Sequence, residues 1–220
     1  MKFISSVNDF ISLFIIAVVI FCLAIFIQNS YSNLTHVTSK IDGRRYLVRN
    51  ESNKQEAADM LATINERLRK LKDHLMEKYP TDERVMRMNS NYLPENVCES
   101  AEDDKNTSYS VNKGEKVVFC IRSKKDNSIE GLNTLMFVSI HEMGHLASAT
   151  IGHNQEFWDN FKFLLEEAVS IGLYEKVEYS KTPMDYCGIQ ITDSPIENTI
   201  ESFANEFTTD HENRHATNKV

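Results

Sequence analysis

The segment His141-Glu142-Met143-Gly144-His145 constrains this chain more than any other. It lies within LNTLMFVSIHEMGHLASA, where Phe137, Ile140, Gly144 and Ala147 fall in line at helical spacing and Asn133 is the expected N-cap. Residues four apart project from one helical face, so both imidazoles can reach a single metal ion with Glu142 beside it. Zinc would bring the pKa of a water toward neutrality, and a carboxylate could take its proton and pass it to a leaving amine. That is the chemistry of peptide-bond hydrolysis. Gly144 in mid-helix costs about 1 kcal/mol relative to Ala, which points to a close contact that needs the room.

The bare HExxH pattern is weak, arising by chance in roughly 1% of chains this long. His211-Glu212-Asn213-Arg214-His215 matches it as well, but in a polar tail with few apolar neighbours to bury a helix against. A zinc hydrolase usually has three protein ligands and one open position, so a third ligand is expected downstream of His145. His153 follows Gly152, which can turn the chain back, and Asn154 can cap a second helix through EFWDNFKFLLEEAVSIG. Glu166 and Glu167 within that helix are the competing ligands. On a helical wheel Phe157, Phe161, Leu164, Leu165 and Ala168 share one side, which leaves Glu166 opposite and Glu167 at the edge.

HEMGH followed by GHNQEFW resembles the WLM and SprT-like (Spartan-type) zinc metallopeptidases. SYSVNKGEKVVFC, NTLMFVSIHEMGH and YCGIQI are also similar to a group of membrane-anchored metallopeptidases of large DNA viruses. The resemblance runs from about Lys54 to Thr192, with its specific motifs between Asn133 and Trp158. It implies a small zincin core with His141, His145 and His153 as Zn2+ ligands and Glu142 as general base and acid. Seven residues separate His145 from His153, a longer connection than the family pattern has.

Spartan-type relatives act on proteins crosslinked to DNA, a role that the charge of this chain does not favour. The formal net charge is −8, and from Glu130 onward there are 15 acidic and 5 basic residues. Such a half repels phosphate backbones, and no basic-aromatic interleaving marks a nucleic-acid groove. Nucleic acid is therefore an unfavoured partner; a protein or peptide substrate is the expected one.

FISLFIIAVVIFCLAIFI, residues 10–27, carries no charge and reads as a transmembrane helix, being longer than the apolar core of a cleaved signal peptide. This predicts a single-pass membrane protein with a lipid bilayer as partner. Lys40, Arg44, Arg45 and Arg49 on the C-terminal flank lean the catalytic domain toward the cytosol, while the sequons at Asn33, Asn50 and Asn106 would be usable only on the other side. Cys22 falls in the span, and Cys98, Cys120 and Cys187 remain, an odd number that cannot all pair internally. Buried or surface thiols are the plain reading, with Cys98–Cys120 as the candidate bridge.

Residues 1–9 form a short tail, and 28–53, polar and without clear periodicity, read as a juxtamembrane linker. Leu61, Ile64, Leu68, Leu71 and Leu75 then predict an amphipathic helix that Pro80 ends, with Thr81 as the cap of a short turn after it. SYSVN and EKVVFCIR predict a hairpin turning at Asn112-Lys113-Gly114, and Val117 to Ile121 is the strand expected at the edge of the cleft. Beyond the second helix, Tyr186 could stabilise an oxyanion and Met184 could underlie the metal; core packing is the competing reading for both.

The expectation is one α+β zincin-like domain over 54–195, followed by a polar tail over 196–220. Its expected function is membrane-anchored, zinc-dependent endopeptidase activity. The rival is a non-catalytic membrane or virion structural protein that keeps the fold, against which an intact Glu142 argues, since a structural zinc site needs no general base. A DNA-protein crosslink protease is a further alternative. The sequence leaves oligomeric state open.

Overall fold

Apolar residues three and four apart build the long helix against which the rest of the chain packs. The computed structural model describes residues 7–196, without the side chains of 7–9 and 27–32. Helix α2 (Lys54–Lys78) buries Leu61, Ile64, Leu68, Leu71 and Leu75 along one stripe, as their spacing predicts. Pro80 lacks an N–H and follows its end. Asp82, rather than Thr81, caps α3 (Glu83–Asn91), its carboxylate accepting from the Arg84 amide at 2.9 Å.

The stretch expected to be a linker is part of the core. Strands β1 (Leu34–Thr38) and β2 (Arg45–Arg49) pair antiparallel from Leu34↔Arg49 to Thr38↔Arg45. Gly43 lies in the connection between them with φ +72°. Tyr46 and Val48 alternate inward and join the hydrophobic cluster built on α2. Two five-residue strands with mixed polar content are too short to announce themselves by period.

A second sheet has the order β3-β5-β4, from β3 (Val97–Glu99), β4 (Tyr109–Val111) and β5 (Lys116–Phe119). β4 and β5 are antiparallel and turn at Asn112 and Lys113, both with positive φ, as the hairpin reading predicts. Gly114, at φ +106°, admits no side chain, because a Cβ there would fall 2.0 Å from the Asn91 carbonyl oxygen. β3 pairs parallel with β5, which puts Val117 to Phe119 in the middle of the sheet. The outer strands are therefore β3, which lies against β2, and β4, whose far edge is unpaired among the described residues; this corrects the expectation for Val117–Ile121.

Helix α4 (Leu132–Ala147) starts from Gly131 as N-cap. Asn133, expected in that role, instead exchanges hydrogen bonds with the Glu175 backbone through both ends of its amide. Helix α5 (Gln155–Ser170) is capped as predicted, with Asn154 accepting from the Phe157 amide at 3.1 Å. After α5 come the short paired strands β6 (Met184–Tyr186) and β7 (Ile189–Ile191). A disulfide joins Cys120, just past β5, to Cys187 in the β6–β7 turn. This departs from the plain reading of buried or surface thiols, and the partner of Cys120 is not the candidate Cys98. Cys98 lies in register with Val118, two residues short of Cys120, and is a buried free thiol.

One buried ionic knot ties the two sheets together. The Glu99 carboxylate accepts from Arg122 Nε at 2.6 Å and from the Arg49 amide at 2.7 Å, and all three side chains are nearly free of solvent. The Arg49 guanidinium donates onward to Ser100 and Ala101, and that of Arg122 to Asn53. The resulting α+β arrangement contains five α-helices among the described residues.

The N-terminal segment requires a correction. Helix α1 (Val7–Ser32) exposes Phe10, Phe14, Phe21 and Phe26, but among the described residues no helix is long and apolar enough to cross a membrane. The expected transmembrane span over 10–27 falls, and with it the bilayer as partner, the single-pass localisation and the cytosolic lean. The tail over 197–220, including the second HExxH match, lies outside the described residues.

Candidate metal centre

α4 places its two histidines on one face, with ring centroids 5.0 Å apart. Past its C-terminus, Gly152 at φ +90° turns the chain back, and His153 arrives with its Nε2 at 3.0 Å from Nε2 of His141. His141, His145 and His153 each offer a ring nitrogen, and these atoms lie within 4.8 Å of one another. The donor set fits a zinc ion, which takes imidazole nitrogens in sites of three protein ligands. Burial holds the His141 pKa well below the usual histidine value, with His145 and His153 adding to the effect. The ring thus stays neutral, the form a metal requires.

Phe157 forms the floor. Its ring stacks on His145 at 4.3 Å and lies 4.8 Å from His141 and 4.7 Å from His153. It can reach all three because Gly144 has no side chain: a Cβ there would sit 3.1 Å from Phe157 Cε2. The close contact inferred from a mid-helix glycine is this one. The GHNQEFW string holds Phe157 in plain view, but only the α4–α5 crossing reveals that it meets three imidazoles.

Glu142 is 3% exposed, and its Oε2 has no hydrogen-bond partner. Burial pushes its carboxyl up to about 8, opposed by a hydrogen bond with Ser110 on β4. The free-edged strand and the candidate base are therefore in contact. Nothing in the sequence around Ser110 marked it for this role.

The competing carboxylates lie elsewhere. Glu167 is bound by His74, Lys78 and Tyr79 from the end of α2, at 2.7 to 3.0 Å. Burial works to raise its carboxyl, and those bonds outweigh it and hold the group below the usual range. Glu166 is exposed.

Tyr186 is 1% exposed. Its hydroxyl donates to the Cys120 carbonyl at 2.7 Å and is 2.6 Å from Ser108 Oγ, so it is engaged in holding β6 against the end of β5. Burial raises its pKa. Met184 is 38% exposed, whereas the rings of the triad rest on Phe157.

No family model matches the sequence. A solved structure, Wss1 from Saccharomyces cerevisiae, superposes over 57% of this chain and 86% of its own with a TM-score of 0.43 and 18% identity, too loose a likeness to argue from. Uncharacterized protein 136R of Invertebrate iridescent virus 6 is 38% identical over 73 residues, 32% of this chain and 40% of that one. A longer match is to uncharacterized protein R325 of Acanthamoeba polyphaga mimivirus, 33% identical over 168 residues that span 74% of this chain and 85% of the relative. By that identity and coverage, the chain belongs to the family of the mimivirus protein R325.

Proposed function

We propose that the chain is a zinc-dependent endopeptidase, with His141, His145 and His153 as ligands and Glu142 as general base and acid. One observation carries the reading: three imidazole nitrogens converge within 4.8 Å beside a buried carboxyl that has an unpartnered oxygen. A purely structural site has no use for that carboxyl. When bound, zinc would supply a Lewis acid that polarises the scissile carbonyl and acidifies the attacking water.

Glu142 takes the proton of the attacking water and returns it to the departing amine. A carboxyl brought close to neutrality by burial can do both at ordinary pH, and a cation alongside favours its charged, proton-accepting form. The open edge of β4 supports an extended substrate backbone laid along it as an added strand, in reach of Glu142 through the Ser110 contact. Tyr186 enters this reading as a positioning residue, anchoring β6 through Ser108 and Cys120.

Elemental mass spectrometry on the full chain tests the proposal, alongside hydrolysis of unstructured protein substrates. One zinc per chain is expected, weakened by His153→Ala and kept by Glu142→Gln, with hydrolysis lost in both variants. A parent chain that takes up no zinc overturns the reading.

A further inference from the structure

One helix places His141 and His145, whereas residues 148–153 reach the site without helix or strand. That segment is nonetheless bonded on both sides of its backbone. Just before the segment, at the end of α4, Arg87 and Asn91 of α3 donate to the carbonyls of Ala147 and Leu146 at 2.5 and 3.0 Å, while the carbonyl side of the segment itself is held by Lys113. Lys113, from the β4–β5 turn, donates its ammonium to the carbonyls of Ser148 and Thr150 at 2.5 and 2.7 Å. On the amide side, Glu156 accepts from the Ala149 amide at 2.6 Å, and from the amide and hydroxyl of Thr150 at 3.0 and 2.5 Å.

Two further bonds fix the side chains of the segment. Asn160 donates to Ser148 Oγ at 2.9 Å, and Asn154 donates to Thr150 Oγ1 at 2.6 Å. Arg87 also lies 3.7 Å from Glu156, so the contact at the end of α4 and the amide side of the clamp meet. Bonds from the Thr150 hydroxyl and the Ala149 and Thr150 amides keep the Glu156 carboxyl ionised down to about 2. By contrast, Ile151 at the outer bend is 90% exposed and contributes no packing that could hold the loop.

We propose that Glu156 and Lys113 are positioning residues for the third ligand, gripping opposite sides of the 148–153 backbone so that His153 stands at the site before any metal arrives. The inference rests on the endopeptidase reading for its purpose, though not for its geometry. A connection of seven residues between ligands is long enough to wander, and fixing it during folding removes the ordering entropy that ion binding would otherwise have to overcome. Groups that orient metal ligands typically change affinity 10- to 100-fold when removed.

Zinc affinity of the full chain, measured by competition with a chromophoric chelator, is the first readout. Glu156→Ala and Lys113→Met are each expected to weaken binding about 10- to 100-fold. That loss should vanish in the His153→Ala background, because a clamp with no ligand to aim has nothing left to do. Glu156→Gln, which keeps one acceptor oxygen, should fall between. An equal loss with and without His153 would reveal a general structural role and overturn the proposal, as would unchanged affinity in both variants.

Hydrogen exchange of the Ala149 and Thr150 amides in metal-free protein supplies a readout independent of zinc. Glu156→Ala should speed it at least about tenfold, with exchange in α2 unchanged. If the parent binds no zinc, the peptidase reading falls while this exchange still decides the clamp: unchanged rates at those amides refute it.

Discussion

Gly144 and Phe157 touch through the hydrogen that glycine has in place of a side chain, and this contact sets how closely α4 and α5 cross. A Cβ at position 144 would meet Phe157 Cε2 at 3.1 Å and Phe161 Cβ at 3.4 Å. The aromatic ring has nowhere easy to go, since it is packed under three imidazoles.

Gly144→Ala gains about 1 kcal/mol of helix propensity and loses about 1–3 kcal/mol to overpacking. A small net destabilisation in urea is expected, together with weaker zinc binding as the floor shifts. Phe157→Leu makes room, so the same substitution should cost less in that background. Equal costs in the two backgrounds would show that the contact is not the constraint.

Glu142 gives the metal-free protein a distinct dependence on pH. Its folded carboxyl titrates near 8 against an ordinary value of 4.5, so between those values the unfolded chain has shed a proton that the folded chain keeps. Stability then falls as pH rises through that window. The melting temperature of Glu142→Gln minus that of the parent should therefore grow from pH 5 to pH 8 and level off above it. A difference that is flat or shrinks across this range contradicts the assignment.

The disulfide makes a labelling prediction. Alkylation of the unfolded, unreduced chain should modify two of its four cysteines, Cys22 and Cys98, and all four after reduction. The double variant Cys120→Ser/Cys187→Ser should lose about 2–4 kcal/mol of stability, as expected for closing a long loop. Four labelled cysteines without reductant would remove the bridge.

Glu99 balances two buried guanidinium groups. Glu99→Gln leaves Arg49 and Arg122 without a counter-charge in surroundings that exclude water. A loss of about 3–5 kcal/mol is expected in a denaturant melt. A loss below about 1 kcal/mol would mean that water reaches the knot.

Where a period repeats over several turns, the sequence predicts the structure well. Leu61 to Leu75 define α2, and the spacing within HEMGH brings two imidazoles onto one face. Asn154 caps α5 through a local bond, so the signal is local too. The failures at Val117 and Cys98 share a cause, which is contact between residues distant along the chain. Nothing near Val117 says that β3 will pair parallel with β5 and remove its edge, and nothing near Cys98 says that Cys187 will reach Cys120 first. The β1–β2 hairpin had a faint signature in Tyr46 and Val48 alternating after Gly43, too short to separate from a polar linker.

The bonds around residues 148–153 also bear on the order of assembly. His141 and His145 share one helix, whereas the segment that carries their companion is bonded to the β4–β5 turn and the first turn of α5, and the helix end before it to α3. A half-made chain would carry a two-nitrogen site that holds an ion weakly. On the proposed endopeptidase function, hydrolysis would then await completion of the fold, and a nascent chain would not yet cut its neighbours.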